Sequence, residues 1–217
     1  MKKLLFIGFF GYWVILTYLS ILSAVIGIYF AFNGNIKSAI ICMMFSGLCD
    51  TFDGRVASLK KRNNIQLNFG VQIDAMADLI SFGTLPAAIL YSLGQSSGSF
   101  GIANAIIPSM YVLAAFIRLA YFTATEAESQ DDNGKRAYFE GLPTTSVALL
   151  IPIVFSVCNV IQASLFIVFS VMLAIISVLF VLKVKIRKPR MRTQIILCLT
   201  GLAILIIMQF IGGILNV

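Results

Sequence analysis

Residues 50–58 read Asp-Thr-Phe-Asp-Gly-Arg-Val-Ala-Ser, and residues 70–78 read Gly-Val-Gln-Ile-Asp-Ala-Met-Ala-Asp. These two stretches place four aspartates inside sequence that is otherwise apolar enough to span a membrane. A carboxylate at the centre of a bilayer costs about 3 kcal/mol on insertion scales, so residues of this kind usually serve a function. The i,i+3 and i,i+4 spacings put each pair of aspartates on one face of a helix. Two neighbouring helices would bring the four carboxylates together.

The composition is that of an integral membrane protein. Of 217 residues, 59% are hydrophobic and 12% are charged, and the mean hydropathy is +0.97. Soluble domains carry about twice that share of charge. The length suits a single membrane domain, residues 1–217, with about six to eight spans. The formal net charge of +7 does not indicate nucleic-acid binding, because the basic residues cluster in loops on one side of the predicted bundle.

Apolar segments of spanning length are separated by short polar turns and predict an all-α, polytopic membrane helical bundle. The segments are 14–33, 37–59, 69–94, 102–125, 143–161, 163–182 and 194–215. Residues 143–182 could form either two short spans or one long bent element. The aromatic-rich residues 1–13 predict an interfacial helix, 14–182 the helical core, 183–192 a basic cytoplasmic loop and 194–215 a last span.

Basic residues in alternate loops predict the orientation. One side of the membrane would hold Lys2, Lys3, Lys60, Lys61, Arg62, Lys135, Arg136 and the basic residues of 183–192. Only Lys37 falls on the opposite side. Since cytoplasmic loops are enriched in Lys and Arg, we expect a multi-pass protein of the cell membrane, with its aspartates near the cytoplasmic face and an external C-terminus.

The aspartates predict a site for a hard divalent cation. The chain has no histidine, and carboxylate oxygens without Cys or His favour Mg²⁺ or Mn²⁺ over zinc. Gly54 and Gly70 lie beside the acidic faces, where a missing side chain lets a ligand approach the backbone. The same carboxylates could instead form a proton or cation pathway in a transporter. Broken helices in matching halves, a mark of many transporters, are absent from the pattern.

The two stretches resemble the signature of the CDP-alcohol phosphotransferase family, Asp-x2-Asp-Gly-x2-Ala-Arg-x8-Gly-x3-Asp-x3-Asp. Apart from the Arg, every fixed residue of that signature is present, as Asp50, Asp53, Gly54, Ala57, Gly70, Asp74 and Asp78. The chain departs from it twice. Ser58 stands in place of the Arg, and eleven residues rather than eight separate it from Gly70. We expect Arg55 or the loop lysines to supply the missing positive charge.

Three further segments, 69–86, 118–122 and 140–145, resemble the branch of that family that uses L-serine as acceptor. Tyr121 and Thr123 depart from that branch, which often has Arg and Asn there. The resemblance covers about residues 15–155. It implies a six-helix core with an extra C-terminal span, and transfer of the phosphatidyl group of CDP-diacylglycerol to the hydroxyl of L-serine, with release of CMP.

The resemblance also implies roles for individual residues. Asp50, Asp53 and Asp74 would bind the metal, and Asp78 would act as the base and also touch the metal. The residues expected to bind substrate are Gly54, Arg55, Ala57, Ser58, Gly70 and Arg118. A homodimer in the lipid bilayer is implied as well. A sibling enzyme with inositol or glycerol 3-phosphate as acceptor, or a carboxylate-lined cation transporter, are the alternatives.

Overall fold

The computed structural model describes residues 7–98, 102–131, 138–140, 142–183, 185–187, 200, 201 and 203. It confirms the predicted all-α membrane bundle. The helices are α1 (Ile15–Phe32), α2 (Ile36–Ser58), α3 (Asn64–Asp78), α4 (Leu85–Ser96), α5 (Ala103–Asp131), α6 (Val147–Ile161) and α7 (Leu165–Val181). A short antiparallel ribbon, which the sequence did not predict, pairs β1 (Tyr138–Glu140) with β2 (Lys185–Arg187).

The first six predicted apolar segments coincide with helices. Among the described residues, four helical stretches are long and apolar enough to cross a membrane, and they are Tyr12–Phe32, Asn64–Ser96, Asn104–Thr125 and Thr144–Ile161. Helix α7 is apolar but shorter, and α2 has 23 residues and carries Asp50 and Asp53. Residues 143–182 form two helices rather than one bent element, because Gln162 adopts a φ of 55° and ends α6. The chain is therefore a multi-pass membrane protein.

The two ends of the chain are described only in part. The interfacial helix expected over 1–13 is represented by a 3-10 turn at Tyr12–Val14, since residues 7–11 form no helix and 1–6 lie outside the described residues. Most of the basic loop 183–192 and of the last span 194–215 also lies outside them. The last span, the division into segments and the homodimer stay predictions.

Small residues on one face of α1 allow its neighbours to approach closely. The buried residues of α1 are Thr17, Ser20, Ala24, Gly27 and Ala31. A Cβ atom at Gly27 would stand 2.9 Å from Cδ2 of Leu85 and 3.0 Å from Cβ of Cys42. Ser46 of α2 donates a hydrogen bond from Oγ to the carbonyl of Ser20 at 2.9 Å. Small residues and interhelical hydroxyl bonds of this kind stabilise helix packing in membranes, where the hydrophobic effect between helices is weak.

Helices α3 and α4 form one continuous helical stretch with a π-helical segment, Leu79–Thr84, directly after Asp78. Pro86 in the first turn of α4 has no N–H with which to bond the carbonyl of Phe82, four residues earlier. The hydroxyl of Tyr111 on α5 donates to that carbonyl instead, at 2.6 Å. The π-helical segment is thereby held by a buried bond from a neighbouring helix. Single π turns within helices occur frequently at functional sites.

The contact between α2 and α6 gives a test of the packing. A Cβ atom at Gly47 would stand 2.8 Å from Cβ of Ala148. We expect Gly47→Ala to push the two helices apart and to destabilise the fold by about 1–3 kcal/mol. The measurement is the midpoint of thermal unfolding in detergent.

The matched control is the double variant Gly47→Ala/Ala148→Gly, which removes the opposing methyl group. It should be more stable than the sum of the two single changes predicts, because residues in contact do not contribute additively. Strict additivity would contradict a direct contact between these positions.

Candidate active site and metal centre

Three of the four aspartates converge between α2 and α3. One carboxylate oxygen each of Asp50, Asp74 and Asp78 lie within 4.8 Å of one another. Asp50 comes from α2, whereas Asp74 and Asp78 are one turn apart on α3. All three side chains are half-buried, and those of Asp50 and Asp78 contact each other directly. The cluster concentrates negative charge in an apolar bundle, where Coulomb repulsion is weakly screened.

Asp53 lies beside this cluster rather than within it. It is 8% exposed, contacts Asp74, and accepts a hydrogen bond at Oδ2 from the hydroxyl of Thr17 at 3.3 Å. The three grouped aspartates and Asp53 together are the four residues that the resemblance implies for the metal site. Asp78, assigned as the base, is a member of the group of three, and Asp53 reaches that group through Asp74.

The chemistry of the donor atoms fits a hard divalent cation. Every ligand atom in the group is a carboxylate oxygen, which is the donor type that Mg²⁺ and Mn²⁺ prefer. Asp50, Asp74 and Asp78 would hold such an ion, and Asp53 would contribute negative charge from the adjoining position. Mg²⁺ usually retains several waters and is completed by substrate phosphates, so three protein carboxylates are a sufficient set.

A buried chain of hydrogen bonds reaches Asp78 from α5. Arg118, 9% exposed, donates from Nη1 to the hydroxyl of Thr144 at 3.2 Å. That hydroxyl donates in turn to Oδ2 of Asp78 at 3.0 Å. The Arg118 guanidinium also attracts the Asp78 carboxylate electrostatically and lies 5.9 Å from the ring centroid of Phe180. Its Nε atom is buried and has no hydrogen-bond partner among the described residues.

Thr144 was missed as a site residue in the sequence analysis. It is 2% exposed and begins the 3-10 turn Thr144–Ser146, directly after Pro143. Pro143 has an extended backbone, with ψ of 133°, and Ser146 donates from Oγ to its carbonyl at 2.6 Å. The available signal was the segment 140–145, which was noted only as a resemblance. Its contact with Asp78 spans 66 positions of sequence, a separation that local patterns do not encode.

The loop before α3 is fixed by a capping box. The side chain of Asn63 accepts from the backbone N–H of Gln66 at 2.8 Å, and the Gln66 side chain accepts from the Asn63 N–H at 3.4 Å. Reciprocal bonds of this kind satisfy two backbone donors at a helix start. They determine where α3 begins, and so where Asp74 and Asp78 lie along it.

An open cavity of about 170 Å³ adjoins the aspartates. It is lined by Trp13, Val14, Thr17, Asp53, Gly54, Ala57, Arg62, Gly70, Val71 and Asp74. Three of the expected substrate-binding residues, Gly54, Ala57 and Gly70, are among them. A Cβ atom at Gly54 would meet no other atom within 4 Å. Helix packing therefore does not require glycine at this position, whereas close approach of a ligand would.

Arg55, Ser58 and Lys60, at and around the position of the missing arginine, do not line the cavity. Arg55 places its guanidinium 5.8 Å from the ring centroid of Phe52. Ser58 is exposed and donates from Oγ to the carbonyl of Arg55 at 2.7 Å. Lys60 has its Nζ atom 5.7 Å from the Trp13 ring centroid. The loop cation that lines the cavity is instead Arg62, which was not assigned a role from the sequence.

With this geometry established, comparison with known proteins identifies the family. The family model described as CDP-alcohol phosphatidyltransferase matches residues 14–182. The chain therefore belongs to the CDP-alcohol phosphatidyltransferase family. The matched range coincides with the helical core expected from the sequence.

Individual relatives carry more particular names. The chain is similar to CDP-diacylglycerol–serine O-phosphatidyltransferase of Saccharomyces cerevisiae, 41% identical over 115 residues, which cover 51% of the chain and 39% of the relative. It is similar to archaetidylserine synthase of Methanothermobacter thermautotrophicus, 31% identical over 63% of the chain and 54% of the relative. A Helicobacter pylori CDP-diacylglycerol–serine O-phosphatidyltransferase is 31% identical over 61% of the chain and 52% of the relative. The chain thus spans between 39% and 54% of the length of these relatives.

The grouping of the aspartates predicts unequal effects on metal binding. We expect Asp74→Asn to weaken Mn²⁺ binding by at least about tenfold, because it removes a charged ligand from the group of three. Asp53→Asn should have a smaller effect, since Asp53 adjoins that group. Titration of Mn²⁺ into the purified full chain, followed by electron paramagnetic resonance, gives both affinities.

Asp131→Asn is the matched control. Asp131 is the last residue of α5, about 20 Å along the helix from Arg118, and its loss should leave Mn²⁺ affinity unchanged. A larger effect from Asp53→Asn than from Asp78→Asn would contradict the grouping and favour Asp50, Asp53 and Asp74 as the ligands.

Proposed function

We propose that this protein transfers the phosphatidyl group of CDP-diacylglycerol to the hydroxyl of L-serine, forming phosphatidylserine and CMP. The observation that carries the proposal is the convergence of Asp50, Asp74 and Asp78, with the Arg118–Thr144 hydrogen bonds directed at Asp78. This arrangement combines a cation site, a carboxylate able to accept a proton and a buried guanidinium. These groups can neutralise charge on a diphosphate and accept the proton of an attacking alcohol.

The names of the relatives support serine as the acceptor. The yeast and Helicobacter relatives carry serine in their names together with CDP-diacylglycerol, and the archaeal relative is an archaetidylserine synthase. The lipid part of these names differs, but serine is common to them. Serine is therefore the acceptor that we assign to the site.

Asp78 would be the base for the serine hydroxyl. Its carboxylate accepts the hydroxyl proton as the serine oxygen bonds to the phosphorus atom bearing the diacylglycerol group. The bond from that phosphorus to the CMP oxygen breaks, and CMP leaves with the bonding electrons. A divalent cation held by the aspartates would neutralise negative charge on the diphosphate during this exchange. Transition states at phosphorus are loose, so positioning contributes much of the rate.

Thr144 and Arg118 would set the position and the charge of Asp78. The Thr144 hydroxyl donates to Oδ2 of Asp78 and so fixes the orientation of the carboxylate. Arg118 provides a buried positive charge on the same side. The carboxylate of serine is only two carbon atoms from the hydroxyl-bearing carbon. A cation two hydrogen bonds from the base, through Thr144, is therefore suited to an anionic acceptor, whereas neutral inositol would offer it no negative charge.

The cytoplasmic face is the location that we assign to the site. Trp13 lies between the Lys60 and Arg62 side chains, at the end of the bundle where α2 ends and α3 begins. Aromatic and basic residues concentrate at the membrane interface, and basic loops lie on the cytoplasmic side. This location gives soluble serine access while the diacylglycerol chains remain in the bilayer.

The direct test supplies membranes containing the protein with CDP-diacylglycerol, Mn²⁺ and a labelled acceptor. Labelled serine should yield labelled phosphatidylserine together with CMP, and chelation of the metal should abolish both products. Asp78→Asn should lower the rate at least about 100-fold, the usual contribution of a general base. Asp131→Asn is the control and should retain the wild-type rate.

Competing acceptors in the same assay separate the alternatives. Labelled product from inositol or glycerol 3-phosphate, but not from serine, would reassign the acceptor. Ion flux in proteoliposomes without CMP release would instead indicate a transporter. Full activity in Asp78→Asn would remove Asp78 from the role of base.

Thr144 is predicted to act as a positioning residue for Asp78. We expect Thr144→Val to lower kcat by about 10–100-fold, the range seen when a partner of a site ligand is removed. The KM for CDP-diacylglycerol should change little, because Thr144 does not line the cavity beside Asp53 and Asp74. Thr144→Ser keeps the hydroxyl and should restore most of the activity. Equal losses in the valine and serine variants would indicate a packing role instead.

A further inference from the structure

Arg62 occupies an unusual position between the loop and the cavity. Its Nη1 atom lies 3.1 Å from the point where a Cβ atom of Gly70 would stand. Its Cζ atom lies 5.5 Å from the ring centroid of Trp13, and both residues line the cavity beside Asp53 and Asp74. The guanidinium thus lies over the Trp13 ring at one wall of the cavity and close to Gly70.

The Nε atom of Arg62 is buried and has no hydrogen-bond partner among the described residues. A buried donor without an acceptor costs free energy that folding alone does not recover. Arg62 also stands two residues before the start of α3, at Asn64, and a positive charge at a helix N-terminus opposes the helix dipole. Arg62 therefore has one unsatisfied donor and a charge that opposes the helix dipole, and an anion in the cavity would offset that charge.

The loop between α2 and α3 is long enough to place Arg62 at the cavity. Ser58 is exposed and bonded to the carbonyl of Arg55, so it brings no charge to the cavity. Three extra residues separate Ser58 from Gly70 compared with the family signature. The residue that eight others separate from Gly70, as in the signature, is Lys61, the neighbour of Arg62. In this chain the basic residues therefore lie in the loop rather than at position 58, and one of them, Arg62, lines the cavity.

We propose that Arg62 binds the diphosphate of the CDP-linked donor, in place of the arginine that this chain lacks at position 58. The inference rests on the proposed function for the identity of the donor. Arg62 offers a planar set of donors that matches phosphate oxygens in a bidentate manner. Gly70 leaves room for the Arg62 side chain, and a cation–π contact with Trp13 holds the guanidinium in place.

The chain carries its own reporter for this site. Trp13 is the only tryptophan of the 217 residues, and it lines the cavity and contacts Arg62. Titration of cytidine 5′-diphosphate with Mg²⁺ into the purified full chain should therefore change the intrinsic fluorescence. Arg62→Ala should raise the dissociation constant for this probe at least about tenfold, because a charged hydrogen-bonding partner of the phosphate is lost. Calorimetry gives the same constant independently of the fluorophore.

Lys61→Ala is the matched control, because it removes the same charge from the adjacent, exposed position. We expect its dissociation constant to stay within about twofold of the wild type, well under the tenfold step that corresponds to losing a charged hydrogen bond. Inorganic pyrophosphate should compete with the probe in the wild type and much more weakly in Arg62→Ala. Arg62→Gln, which keeps hydrogen-bonding capacity without charge, serves if the alanine variant fails to fold.

Three results would overturn the inference. The first is an unchanged dissociation constant for cytidine 5′-diphosphate in the Arg62 variants. The second is an equal loss of nucleotide affinity in Lys61→Ala. The third is a change only in the Mn²⁺ affinity of the Arg62 variants, which would make Arg62 a partner of the aspartates. Nucleotide binding does not involve the acceptor. Absence of serine transfer by the wild type, with Arg62-dependent binding intact, would therefore refute the proposed function and leave the role of Arg62 standing.

Discussion

The burial of several carboxylates at one end of an apolar bundle is the constraint on which the rest of the structure depends. Carboxylate oxygens of three aspartates from two helices lie within 4.8 Å of one another, and Asp53 contacts one of them, Asp74. Each charge taken from water loses hydration that the low-dielectric surroundings do not replace. The structure offsets this cost locally, with hydroxyl donors at Asp53 and Asp78 and a buried guanidinium behind Thr144. A divalent cation would supply the remaining positive charge.

Close helix packing makes those local contacts possible. Thr17 reaches Asp53 because the same face of α1 is built from small residues that allow α2 to approach. Tyr111 reaches the π-helical segment after Asp78 because α5 packs on that segment. Its hydroxyl donates to the carbonyl of Phe82, to which Pro86 has no N–H to donate. The positions of the aspartate side chains thus depend on the packing of α1 against α2 and of α5 against the π-helical segment. Substitutions of the packing residues would shift the carboxylates even though these residues do not contact the aspartates.

The sequence predicted those parts of the structure that rest on strong local signals. Long apolar runs define the helices, because a membrane span needs about 20 consecutive apolar residues. Aspartates at helical spacing stand out against such a background. The positions of Thr144 and Arg62 could not be predicted in this way. Thr144 meets Asp78 across 66 positions, and Arg62 lies in a loop whose course depends on the capping box and on Trp13.

The departure from the family signature at Ser58 illustrates how a site can keep its charge while its sequence changes. In the proposed donor site a cation has to reach the cavity, but nothing requires that it come from the helix that carries Asp50 and Asp53. In this chain Ser58 bonds to its own helix, and the loop that follows carries Lys60, Lys61 and Arg62. Lys60 and Arg62 both lie over the Trp13 ring, and Arg62 is the one that lines the cavity. A longer loop and an aromatic wall together can replace one arginine, and the two departures from the signature are then a single adaptation.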